Sequence, residues 1–308
     1  MDYALQLDGI TRSRPPPDRL YHYTSVEGLL GILSSNRVWA TDAAYVNDST
    51  ELKHGYDVVC NWLRIRSTNG EADERKLAER TLSTLENGRG LANVHLFCLT
   101  ENRDQLSQWR AYSGGGSGYA IGFDSRVLLA TPPKLEEIGG MGNYLAGHTH
   151  DARVEHVLPV IYDPIEQARI IEAQFKIAVA AMRDPTIKHG FIGNIQSSAL
   201  MLGLALVDDV IMFKNPAFRE EAEWRAVFLR FDELSKIPLA FRLHKGTLIP
   251  YVCLALTPTG TPDKLPLVEV VRGPQSGGML GSKALRSLLR QCGYTESGII
   301  TESAIPLR

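Results

Sequence analysis

Cysteine is scarce: Cys60, Cys98, Cys253 and Cys292 are scattered over 308 residues, and no two stand at CxxC spacing. That excludes a zinc knuckle and a disulfide framework, and it fits a reducing compartment. A surplus of one charge is also missing. The formal net charge of -2 gives no overall field toward nucleic acid or anionic lipid, which leaves only a local basic groove open. Long apolar runs are lacking too. The longest, Ala199 to Val207, stops at Asp208-Asp209, well short of the roughly 20 residues a membrane helix needs. The start, Met1-Asp2-Tyr3 running into Arg12-Ser13-Arg14-Pro15-Pro16-Pro17, has no apolar signal-peptide core, so a cytoplasmic chain with no membrane partner is expected.

Two common chemistries lack their signatures. The run Gly114-Gly115-Gly116-Ser117-Gly118 leads into a strand rather than a helix N-terminus, and no Gly-Lys-Ser/Thr is present, so a phosphate-cradling loop is excluded. A hairpin or mobile loop is expected there. No Gly-x-Ser-x-Gly appears, which leaves acyl-transfer hydrolysis without support. His148-Thr149-His150-Asp151 has metal-like spacing, but a closed site needs further ligands and no metal is expected.

What remains is an ordinary globular composition, 44% hydrophobic and 22% charged, enough for a substantial core. Thr24-x-x-Glu27 is a capping-box spelling that opens a short helix over Val26 to Leu33. Asp48 to Arg66 carries Leu52, Tyr56, Val59 and Leu63 at helical spacing, and a more polar helix follows from Glu71 to Leu85. Strands are predicted at Leu20–Tyr23, Val38–Thr41, Val94–Leu99, Tyr119–Phe123, Val157–Tyr162, Glu223–Leu229, Leu248–Leu256, Leu267–Val271 and near Ile299. Helices are predicted over Asp104–Tyr112, from Asp163-Pro164 onward, over Ile192–Val210 and over Ser282–Gln291. Pro132 to Asp151 reads as a mobile loop. Strict βαβ alternation is absent. The pattern therefore implies an α+β fold with a mixed or mostly antiparallel twisted sheet, as one domain over 1–308 with an extended arm over 1–19 and a helical insertion over 163–212.

Three patches carry candidate chemistry. In Tyr21-His22-Tyr23-Thr24 an imidazole and a hydroxyl stand two residues apart, on one side of a strand, where both can meet a polar ligand such as a ribose. The alternative is a core histidine followed by a helix cap. Phe97, Trp109 and Tyr112 can form an aromatic clamp for a flat ring, or simply pack in the core. Glu221 and Glu223 open a strand-like run and are expected on one face, where one can act as a general base or stabilise positive charge. The alternative is a solvated strand end with Glu/Arg pairs.

Taken in order, Leu20-Tyr21-His22-Tyr23-Thr24, Phe97-Cys98-Leu99-Thr100 with Trp109-x-x-Tyr112, Phe218-x-x-Glu221-x-Glu223-Trp224-Arg225, Gly273-Pro274 and Ser303-x-Ile305-Pro306-x-Arg308 resemble a bacterial family known only as domain of unknown function 2971. That resemblance spans almost the whole chain and implies no activity. The order His-x-Thr, aromatic strand with a Tyr-bearing helix, then Glu at a strand start also resembles the His-Tyr-Glu group of ADP-ribosyltransferases. This second resemblance implies an ADP-ribosyltransferase-like fold and NAD as substrate. His22 with Thr24 would hold the nicotinamide-side ribose and amide, Tyr112 would stack on nicotinamide with Phe97 as the other ring wall, and Glu223 would stabilise the oxocarbenium-like transition state. Glu221 would match the position that contacts the acceptor, a protein, nucleic acid or water. The sequence departs from that group at Trp109, where a small serine is common, and in His22-Tyr23-Thr24. A toxin–antitoxin or phage-defence role, with a cognate inhibitor, is what the resemblance implies. The rivals are a nucleotide-sensing or partner-binding module without catalysis, and a metal-dependent nucleic-acid-processing enzyme using Glu221, Glu223 and Asp48.

Overall fold

The computed structural model describes residues 17–46, 51–87, 93–128, 152–154, 156–187, 194–230, 237–244, 246–257, 264–295 and 298–306. The expectations for the arm, for Asp48, for the loop at 132–151 and for the histidine pair within it fall outside these residues. The chain divides into two compact units, one drawn from 46–92 and 158–219 and the other from 16–45, 93–157 and 220–308.

The first unit is helical. It contains α2 (Glu51–Thr68), α3 (Ala72–Asn87), α6 (Pro164–Arg183) and α7 (Asn194–Met212). The helices expected over 163–212 thus pack with a second excursion, 46–92, that also leaves the sheet. Asp163 caps α6 by accepting the Ile165 N–H at 2.8 Å, and Pro164 takes the first turn, where a missing N–H costs nothing. Val59, Leu63, Leu77, Ile171, Phe175, Leu202 and Leu206 fill the interior. Gly55 lets α2 approach α7 closely, since a Cβ there would lie 2.1 Å from the Val210 carbonyl oxygen. By length and composition α7 is apolar enough to cross a membrane, but Ser198, Ala199, Leu202, Leu206 and Asp209 are buried against neighbouring helices, as in a core helix.

The second unit is α+β, with a mixed and mostly antiparallel sheet. Its strands are β1 (Arg19–Thr24), β2 (Val38–Asp42), β3 (Asn93–Thr100), β4 (Tyr119–Asp124), β6 (Glu223–Arg230), β7 (Ala240–His244), β8 (Thr247–Leu254), β9 (Leu267–Arg272) and β10 (Ile300–Glu302); β5 (His156–Pro159) lies where the chain changes unit. The order is β10-β9-β4-β1-β3-β2-β8-β7, and only β9–β10 is parallel among these neighbours. β6 pairs with β3 along its full length, from Asn93↔Arg230 to Thr100↔Glu223. A strand has two edges, so β1 and β2 must share the other one. β1 meets β3 only at Tyr21↔Thr100, and β2 meets it at Thr41↔Leu96 and Asp42↔His95. The sheet forks there, with α1 (Val26–Ser35) joining the two branches.

The pleat sorts side chains between two faces. Leu20, Phe97, Leu99, Ile121, Phe123, Trp224, Ala226 and Phe228 share one core with Leu29, Ile32 and Leu33 of α1, and with Leu285 and Leu289 of α8 (Gly278–Gln291). Tyr21, Tyr23, Ala120 and Val271 alternate to the other side and pack on Trp109, with Tyr112 and Ile305 beside them. The cap of α1 differs from expectation: Ser25, not Thr24, accepts the Gly28 N–H at 3.2 Å. Thr24 instead presses its hydroxyl against Gly28, where a Cβ would lie 2.0 Å from Oγ1. The glycine run makes a built turn, with Gly114, Gly115 and Gly116 all at positive φ and Gly118 N–H donating to Ser113 O at 2.8 Å.

Candidate functional site

The site grows from the end of β3 and the start of β6. A 3-10 turn, Pro216–Glu221, delivers the chain to Glu223, and Ala222 between them sits at φ +42°. A non-glycine residue in the left-handed region costs on the order of 1–3 kcal/mol and persists only where its surroundings hold it. Here the holders are specific. Thr100 Oγ1 donates to Glu221 O at 2.6 Å, Asn102 Nδ2 to Glu220 O at 2.9 Å, and Glu101 N–H to Ala222 O at 3.2 Å. The strand alternation expected to set Glu221 and Glu223 on one face therefore does not reach Glu221.

The two carboxylates go to different partners. Tyr112, at the end of α4 (Leu106–Tyr112), donates its hydroxyl to Glu221 Oε1 at 3.1 Å, and both residues are half-buried. Glu223 is buried and faces Arg225 two residues on, which is wholly buried. Arg225 Nε lies 2.9 Å from Oε1 and Nη2 3.2 Å from Oε2, a two-pronged ion pair. Pairing is the condition for keeping both charges in the interior.

His22 stands where β1 leaves β3. Its Nδ1 lies 2.8 Å from Cys98 O, so that nitrogen carries the proton and Nε2 is left as an acceptor. The imidazole fills the gap that a continued ladder would occupy, and its ring lies 4.2 Å from that of Phe97. Burial lowers its pKa to about 4; the Cys98 carbonyl works against this, and the Arg242 charge adds to it. The ring is neutral near pH 7.

The expected residues are therefore brought close along the backbone but divided by the pleat. Tyr21, Thr100 and Glu223 form one cross-strand row, so His22 adjoins the row that ends on Glu223. The side chains of His22, Thr24 and Phe97 belong to the α1 face, while Tyr112, Trp109 and Glu223 belong to the other. Two clamp residues are core: Phe97 is 1% exposed, and Trp109 is 0% exposed with its indole N–H donating to Asp104 Oδ1 at 2.6 Å. As placed, neither ring has a face free for a ligand, because each is enclosed by the hydrophobic cluster it anchors. Of the clamp, Tyr112 remains.

Asp104 was not legible as a site residue. Besides Trp109 it accepts Ser303 Oγ at 2.6 Å and Ala304 N–H at 2.7 Å, fixing the segment after β10 beside Ile305 in the Tyr21–Trp109 cluster. Arg225 was likewise missed, although an arginine two residues from a glutamate on a strand was the available signal.

No curated protein and no solved structure matches the chain. A family model does match over residues 108–226, which include Trp109, Tyr112, Glu221, Glu223 and Arg225; the family is described as protein of unknown function (DUF2971).

Proposed function

We propose that the edge formed by Tyr112, Glu221 and Glu223 is the reaction centre of an ADP-ribosyltransferase-like enzyme, one that consumes NAD and passes ADP-ribose to a macromolecule or to water. The observation that carries this reading is the strained Ala222, clamped by Thr100 and Asn102, which holds a half-buried carboxylate against a tyrosine hydroxyl. Strain held by dedicated hydrogen bonds is the kind of feature that marks functional sites. Breaking the bond between ribose and nicotinamide develops positive charge at the anomeric carbon, and a preorganised carboxylate stabilises it. Glu221 is assigned that role, because Glu223 is committed to Arg225 and acts as a positioning residue. Tyr112 offers its ring to the leaving group, while His22, on the opposite face of the sheet, takes no part in this centre.

A second reading has its own support. The Glu223–Arg225 pair cancels the charge of the better-buried carboxylate, which suits a module that binds a nucleotide without turning it over. Incubation with labelled NAD separates the two. The enzyme reading expects nicotinamide release that falls at least about 100-fold in Glu221→Gln. Binding without release by the folded wild type would leave the second reading, and neither would end both.

A further inference from the structure

Away from this edge, β7 carries Arg242. Arg242 Nη2 donates to Thr41 Oγ1 at 2.9 Å, and no acid pairs with it among the described residues. Asp42, the next residue after Thr41, turns into its own 3-10 turn and accepts the Ala44 N–H at 2.9 Å. Beside Arg242 lie two half-buried rings. Tyr251 is the register partner of Thr41, and its ring centroid is 5.0 Å from that of Trp39, with the planes 32° apart. Neither the Trp39 indole N–H nor the Tyr251 hydroxyl has a hydrogen-bond partner among the described residues. Trp39 pairs in register with Cys253, which feels the positive charge of Arg37.

We infer that Trp39, Thr41, Tyr251 and Arg242 form a subsite for a planar base joined to a phosphate, the adenylate half of a dinucleotide. The chemistry is that of the groups left unused. A guanidinium with spare N–H groups presents a fork to phosphate oxygens, and Thr41 fixes its direction. Flat rings accept a base by stacking, with the indole and phenol edges able to reach its polar atoms. Position agrees. Thr41 lies opposite Leu96 on one edge of β3 and Glu223 opposite Thr100 on the other, so the two are four residues apart along the strand and two strand spacings apart across it, roughly 16 Å in all. Leu96 and Thr100 also face the same side of the sheet. An extended two-ended ligand can span that distance. The inference rests on the NAD reading for the identity of the whole ligand; the base-and-phosphate subsite itself does not need turnover.

Titration calorimetry with AMP, adenosine and inorganic pyrophosphate as separate probes tests it. Wild type is expected to bind AMP more tightly than either fragment. Arg242→Gln should weaken AMP at least about tenfold, the loss of one charged hydrogen-bonding partner, while leaving adenosine unchanged. Trp39→Leu should weaken adenosine and AMP but not pyrophosphate. Arg242→Lys, which keeps the charge, should retain more AMP affinity than Arg242→Gln and guards against loss of fold, with circular dichroism on each variant. Absence of AMP binding by wild type, or equal affinity in folded Arg242→Gln, overturns the subsite. Glu221→Gln is expected to keep AMP affinity. Arg242-dependent AMP binding without nicotinamide release by wild type would leave the subsite standing and the transferase reading lost. Nicotinamide release with an unchanged KM for NAD in Arg242→Gln would do the reverse.

Discussion

Glu269 and Asp209 are both buried acids, one in each compact unit, and the chain handles them in opposite ways. Glu269 stands on β9 among donors. Arg103 reaches Oε1 with Nε at 3.0 Å and Nη2 at 2.8 Å, Thr301 joins at 2.6 Å, and Tyr21 and Arg19 reach Oε2 at 3.0 and 3.3 Å. Burial alone would raise its pKa, but the hydrogen bonds from Arg103, Thr301 and Tyr21 outweigh it and hold the carboxyl below its usual range. Among the described residues Asp209 has one donor, Gln174 Nε2 at 2.9 Å. Its pKa is pushed well above the usual range, mainly by burial, with the Asp208 charge adding and Gln174 opposing. Asp209 Oδ2 and Gln174 Oε1 have no partner among the described residues, a setting that favours the neutral acid over a carboxylate. Burial by itself thus does not set the charge of an acid; the supply of donors does.

The comparison can be broken by removing partners. Glu223→Ala is expected to have the largest effect, about 3–5 kcal/mol lost in denaturant unfolding, because it strips the carboxylate from the wholly buried Arg225. A loss below about 1 kcal/mol would mean that Arg225 is held by something else. Glu269→Gln should cost less, about 1–3 kcal/mol, since Arg19 and Arg103 are partly exposed and can turn to water. Its pH dependence follows from a folded pKa below the unfolded value near 4.5. The wild-type advantage is full above that value and closes as pH falls through the depressed folded pKa. A gap unchanged down to pH 2 would contradict the assignment.

Asp209→Asn should move the other way, raising stability at pH 7 by about 1–2 kcal/mol, because the amide keeps the pairing with Gln174 and carries no charge to suppress. The folded pKa here lies above the ordinary 3.8, so the native acid contributes most below that value and loses its contribution as pH rises through the folded pKa. The mutant's gain must therefore shrink toward pH 4, and thermal melts across pH 4 to 8 would show a flat difference if Asp209 were ionised. Ser303→Ala should be the mildest, about 0.5–1.5 kcal/mol: it removes the donor to an Asp104 that keeps Trp109 and the Ala304 N–H, and the acceptor of the part-buried Ile305 N–H. Limited proteolysis of the C-terminal segment measures that loosening directly.

Local signals read correctly wherever the deciding partners were near in sequence. Asp163-Pro164 opened a helix and capped it, the predicted Val94–Leu99 became Asn93–Thr100, and Tyr119–Phe123 became Tyr119–Asp124. Where two local choices competed, packing chose: Ser25 took the cap because Thr24 is pressed against Gly28. Strand β7, Ala240–His244, was not foreseen. It is short and exposed, and only its pairing with β8 makes it a strand.

The sequence by itself determined the class: the alternating runs dictated strands, the 3.6-residue periods dictated helices, and the sparse cysteines ruled out a cross-linked or zinc-held frame. It also singled out Tyr112, Glu221 and Glu223, which the fold places at one edge of the sheet. Only the tertiary structure decided what each residue there can do. It buried Phe97 and Trp109, turned His22 into the fork, put Ala222 in the left-handed region and gave Glu223 to Arg225. The reason is one of range. Period and capping are set by neighbours a few residues away, whereas the Tyr112–Glu221 contact joins residues 109 apart and depends on strand order and register.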